Sequence, residues 1–266
     1  MAAGRYDEAL DQASEVVGFL PALTSPDDRS FVHWFAIVAY LGSGRIDDAR
    51  RHALLHDEIL SRLTPHQVVH GLGLRLLVEE HAGRWDQIRS FSSRVEPAVD
   101  ANVTTPCVLN PRMLLVCALA AARAGDDAET RRLEGAAEAV DMEGYGLTID
   151  APRLWLALLR GDLETVEELL ELPLGLGYTA ISARAARLDG LAALRESARL
   201  EEEAPPLLRP STYLEPFALR ALGIVREDPK LVEQALARFA AMGLEWHAEE
   251  TRTLLVGGGV RAPGSS

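Results

Sequence analysis

At 266 residues the chain is long enough for one large domain or two small ones, and 48% hydrophobic with 25% charged residues is enough to bury a core. Forty acidic side chains against 27 basic ones leave a net charge of −13, which excludes a uniformly basic nucleic-acid binder, since phosphate neutralisation needs the opposite sign. Two cysteines exclude a disulfide-rich scaffold and a four-cysteine zinc site.

The N-terminus turns charged at once (Arg5, Asp7, Glu8) and has no apolar centre of the kind a signal peptide needs. No apolar run approaches the ~20 residues of a membrane span. The nearest, Leu114 to Ala122, is ended by Arg123. Cys107 and Cys117 read as free thiols, and a cytoplasmic protein without membrane contact is expected.

The first predicted helix runs from Tyr6 to Leu20. Ser25-Pro26-Asp27-Asp28 then has the chemistry of a helix start, an N-cap followed by Pro at the first helical position. Phe31, Trp34, Phe35, Val38 and Leu41 follow at helical spacing and predict an apolar stripe. Similar starts recur at Thr64-Pro65-His66-Gln67, which also has capping-box spacing, at Asn110-Pro111, at Pro152-Arg153 and at Pro210-Ser211-Thr212. Half a period away stands another phrase, a glycine followed by acids and a helical run. Its copies begin at Gly4, Gly44, Gly83, Gly125 and Gly161, spaced 40, 39, 42 and 36 residues apart. Gly190 comes 29 residues later, and Glu227-Asp228-Pro229 takes the same place 37 beyond it. Near the end Leu231, Ala235, Leu236 and Phe239 form a further stripe, and Trp246-His247 is placed to anchor the last helix on the preceding pair.

A period of this length signals stacked helical hairpins, each a helix opened by Pro, a glycine turn, and a second helix opened by acids that complement its dipole. The expectation is an all-α, right-handed superhelical solenoid of antiparallel helix pairs, continuous over 1–256, with a disordered tail at 257–266. Residues 143–147, 172–177 and 203–210 are the irregular joints, the last two with curvature changes expected. The first unit is incomplete, Tyr6–Leu20 reading as a second helix without its first. The expectation is a truncated gene product, or a partner or a second copy in a homodimer covering that end.

The turn from Gly4 to Ala9, glycine–aromatic–acid–acid–alanine, resembles the helix A to helix B junction of the tetratricopeptide-repeat class. The longer, uneven period is similar to the divergent repeats of large bacterial signalling proteins that carry an ATPase core and a cyclase or DNA-binding output domain. The phrase from Ala237 to Arg252 looks like the closing helix of such regions in actinobacterial cyclases and activators. The resemblance covers roughly 1–256 and implies a regulatory repeat region without its engine: no Gly-rich phosphate loop surrounds the lone Lys230.

Two constellations are candidate sites. Nine arginines fall in the predicted first helices, among them Arg75, Arg112, Arg153, Arg184, Arg187 and Arg220. In the resembled class first helices line the concave face, so His70, Arg112, Arg153, Trp155, Arg184, Arg187 and Tyr213 are the expected groove residues. Guanidinium groups there would clamp carboxylates of a peptide or acidic segment; the competing reading pairs them with acids of neighbouring helices. Six of seven histidines lie between His33 and His81, with the i,i+4 pairs His52/His56 and His66/His70 on single helix faces, spacing that can ligate a transition metal. No nucleophile elbow or zinc-protease pattern accompanies them. The expected function is therefore a non-enzymatic interaction scaffold for a protein, a peptide or other domains of a parent, needing no cofactor. The alternatives are a sensor of a small ligand and, behind it, a metal enzyme.

Overall fold

The structure, a computed structural model, describes residues 6–102, 104–105, 107–140, 146–175 and 177–256. Gly4, most of the 143–147 joint and the 257–266 tail lie outside them. The described residues form fourteen α-helices and no strand; one isolated bridge joins Ile149 to Leu174. The chain divides into two compact units, 3–145 and 146–266, within the first predicted joint.

The first unit holds α1 (Tyr6–Gly18), α2 (Pro26–Gly42), α3 (Ile46–Leu60), α4 (Pro65–Ala82), α5 (Trp85–Ala101), α6 (Leu109–Arg123) and α7 (Asp127–Ala139). The second holds α8 (Ala151–Arg160), α9 (Leu163–Leu170), α10 (Ala180–Ala193), α11 (Ser197–Glu203), α12 (Leu214–Val225), α13 (Pro229–Ala241) and α14 (Glu245–Val256). Ser25 caps α2, and Thr64 and Gln67 close the predicted capping box on α4, each side chain reaching the other's backbone N–H.

One turn recurs through both units. Gly44, Gly83, Gly125, Gly161 and Gly243 are left-handed, and the next residue's N–H donates five residues back, as in Arg84 to the Glu79 carbonyl or Asp162 to Ala157. This closure satisfies carbonyls that a helix C-terminus otherwise orphans. Arg195 and Glu227 occupy the same place with φ of 59° and 53°, and Glu196 and Asp228 make the same closure. The turn predicted at Gly190 therefore lies five residues further on. Gly190 sits instead inside α10, where an added Cβ would meet Leu170 and Val166 at 3.3 to 3.4 Å.

Other expectations shift by a turn. Pro210–Thr212 does not open a helix: Ser211 is left-handed and its N–H donates to the Glu215 carboxylate, and α12 starts at Leu214. Phe31 is 64% exposed and stacks on Trp34, while the buried face of α2 begins at Val32 and His33. On α13 the core residues are Val232, Ala235 and Phe239, with Leu231 and Leu236 flanking them.

Within unit 1 each helix packs on the next, and α4 also touches α2 and α6. α6 is buried along nearly its whole length, and Leu72, Leu76, Leu77, Ile88, Leu109 and Met113 are fully enclosed. Acids sit in this core, each met by arginine. Glu80 on α4 takes Arg112 from α6 at 2.6 Å with both side chains buried. Arg50 brackets Glu79 at 2.8 and 3.1 Å, while Arg75 and Arg94 converge on Asp57. Charges out of water are tolerated because each is paired.

Unit 2 has an aromatic core. Phe217 meets the rings of Tyr213, Phe239 and His247 at centroid distances of 4.9 to 5.0 Å. His247 rather than Trp246 anchors α14, being buried and stacked on Phe239, with Trp246 edge-on and half-buried beside it. α8, α10 and α12 touch in succession, and a polar chain crosses them. Trp155 on α8 donates to Asp189 on α10 at 3.1 Å. Arg220 on α12 donates to the other Asp189 oxygen at 2.7 Å and to the Thr251 hydroxyl on α14 at 3.3 Å.

Candidate functional site

A cleft of about 450 Å³ opens in unit 2 between the end of α9, α10, α11 and the short 3-10 turn Pro205–Leu207. Leu170, Leu172, Pro173, Leu174, Leu188, Pro206 and Leu207 make its apolar walls, and Arg184, Arg187 and Arg199 supply the cations. The folding of the walls is local. The short α9 ends at Leu170, Pro173 follows, and the bridge from Ile149 to Leu174 holds the returning chain.

The three arginines differ in what they can still do. Arg187 forms a two-pronged pair with Glu203 at 2.6 and 2.7 Å and donates to the Leu170 carbonyl. Glu203 holds its guanidinium above the ordinary value against the cost of burial. Arg199 reaches Glu171 and the same carbonyl. Arg184, half-buried, makes no ion pair or hydrogen bond among the described residues. The cleft thus presents one uncommitted cation among apolar walls, with two more arginines paired to Glu203 and Glu171 in its lining, a setting for a carboxylate beside apolar groups.

The other expected groove residues are placed differently. Arg112 is buried and spent on Glu80, Trp155 is buried and bonded to Asp189, and Tyr213 is fully enclosed against Phe217. None of the three can face a ligand. Arg153 is exposed at the start of α8 but does not line the cleft, and His70 belongs to the other unit. The competing reading of the arginines holds for Arg75, Arg112, Arg187, Arg220 and Arg226, each paired with an acid of another helix. Periodicity put them on the correct helices but said nothing of acids 16 to 32 residues away.

In unit 1 the histidines gather. Nδ1 of His33 on α2 lies 2.9 Å from Nδ1 of His52 on α3, so one of the two donates to the other and they cannot both be charged. Burial, with His52 and Arg29 nearby, pushes the His33 imidazole down to about 4. Burial, then His33 and His70, takes His56 to about 4 as well. His52 and His70 move the same way, also mainly through burial. His66 and His70 on α4 stand edge to face with ring centroids 4.7 Å apart. The residue that sequence reasoning missed is Cys107, at the end of the connector into α6, whose Sγ lies 3.6 Å from His70 Nε2. One donor atom each from His66, His70 and Cys107 lie within 4.8 Å of one another. His52 and His56, the other expected metal pair, are not in this set; His52 faces His33 and the Tyr40 ring.

No family model, curated protein or solved structure matches the chain. Among the described residues no helix is long and apolar enough to cross a membrane.

Proposed function

We propose that this chain is a non-enzymatic helical-repeat scaffold of tetratricopeptide-like hairpins, whose second unit captures a segment of a protein partner in the cleft around Arg184. The repeated turn, with the same backbone closure from Arg45 to Leu244, supports the hairpin-array reading. The observation that carries the binding reading is the unpaired Arg184 guanidinium among leucine and proline walls. A segment with an acidic side chain next to one or two apolar ones would gain a charge-assisted pair and bury its apolar surface together. In the setting that the resemblance implies, the segment belongs to an ATPase or cyclase domain of a parent signalling protein in the cytoplasm.

Selection of a random peptide library on the full chain tests this. Peptides with an acid flanked by apolar residues should enrich, and Arg184→Glu should weaken them by at least about tenfold, roughly one charge-assisted contact. Enrichment of no such pattern, or indifference to Arg184→Glu, overturns the reading. The cleft volume also suits a metabolite, which favours a second reading as a small-ligand sensor. Small apolar carboxylates that raise the melting temperature of the full chain but not of Arg184→Ala would select it.

A further inference from the structure

The first unit carries a second feature, independent of the cleft. We infer that His66, His70 and Cys107 form a zinc(II) site with three protein ligands and an open fourth position.

The distances match a zinc site. In a tetrahedral zinc site with Zn–S of about 2.3 Å and Zn–N of about 2.0–2.1 Å, a sulfur and a nitrogen ligand stand about 3.6 Å apart. Cys107 Sγ and His70 Nε2 are separated by 3.6 Å. The His66 donor lies with them inside a 4.8 Å span, so a side-chain rotation of modest size closes the set.

His66 Nδ1 is buried and has no hydrogen-bond partner. A buried ring nitrogen without a partner is costly to keep.

Two imidazoles one helical turn apart with one thiolate are a borderline-soft set, which favours zinc over magnesium or calcium. On binding, the S–Zn bond forms as Cys107 gives up its thiol proton to solvent, and both imidazoles donate ring lone pairs with no change in oxidation state.

The site is reachable and tied to the fold. His66, His70 and Cys107 are all half-buried rather than enclosed. Two ligands sit at the start of α4, and the third is in the connector between α5 and α6. Zinc would staple that connector to α4, and the fourth position would take water or a donor atom from a bound molecule.

The test is titration of the metal-free full chain with zinc chloride by calorimetry, with cobalt(II) as a spectroscopic substitute. One equivalent of zinc should bind, and the cobalt form should show thiolate-to-metal charge transfer with the strong visible bands of a four-coordinate ion. Cys107→Ser should abolish the charge transfer, and Cys107→Ser and His66→Asn should each weaken zinc by more than about tenfold while circular dichroism stays unchanged. Zinc should also slow alkylation of Cys107, with the buried Cys117 unreactive throughout. Absence of zinc binding, or binding that survives Cys107→Ser but is lost in His56→Asn, overturns the inference.

Discussion

The two units use one turn and two different interiors. In unit 1 every described turn with this left-handed closure has a glycine, and the core is tied by buried acids and arginines alongside neutral histidines. In unit 2 two of four turns are left-handed arginine and glutamate, and an aromatic cluster with one polar chain fills the centre. The contrast teaches that the hairpin is specified by backbone closure, while what lies between hairpins can be ionic or aromatic. Unit 1 should therefore be sensitive to charge, and unit 2 to shape.

Acid should separate them most. His81 is fully buried and pushed down to about 3 by burial, with Arg112 adding to the effect and the Leu77 carbonyl opposing it; His33 and His56 sit near 4. Unfolded, these rings take up a proton near 6.5, so between about pH 6.5 and 4 unfolding binds protons. The stability they confer is complete above that window and drains away as the pH falls through it, on the order of several kcal/mol in sum. Hydrogen exchange on the full chain, with chelator present, should show residues 26–82 losing protection by pH 4.5 before residues 214–256. Equal loss in both would break the comparison.

Next in size is Arg112→Ala, which takes a buried arginine away from the buried Glu80 carboxylate in unit 1 and should cost about 3–5 kcal/mol in chemical denaturation. Replacing both by Met and Leu should recover most of it; failure to recover would mean that packing rather than charge matters there. Smaller is a pair of helix glycines. Gly135 on α7 has nothing within 4 Å of an added Cβ, whereas at Gly223 on α12 that atom would stand 2.6 Å from Val232. Gly135→Ala should stabilise by about 0.5–1 kcal/mol, and Gly223→Ala should destabilise by about 1–3 kcal/mol. The smallest effect belongs to Glu227→Gly in unit 2. It relieves a left-handed non-glycine and gives up only an exposed contact to Arg195, for a gain of about 0.5–1 kcal/mol. A melting temperature that falls instead would show the contact to matter more than the backbone.

Much of the all-helical character was legible because glycine and Ser/Thr-Pro pairs act locally: Gly44, Gly83, Gly125, Gly161 and the Thr64–Gln67 box stand where expected. Arg195 was not legible, since a left-handed arginine leaves no compositional sign. Of the expected groove residues, Arg184 and Arg187 do line one cleft. Arg112, Trp155 and Tyr213 are buried because partners on other helices claim them, and a single-helix pattern does not record that. Cys107 was visible only as a thiol. Its nearness to His70 depends on the return of the chain from α5 to α6.

The polar chain from Trp155 through Asp189 and Arg220 to Thr251 links α8, α10, α12 and α14. A helix held only by the contacts of one adjacent helix would loosen on its own. Threading four helices on one bonded strand makes loosening the last helix weaken the grip on the first. Pulled from its ends, this half of the molecule should rupture in one event and not peel like tape.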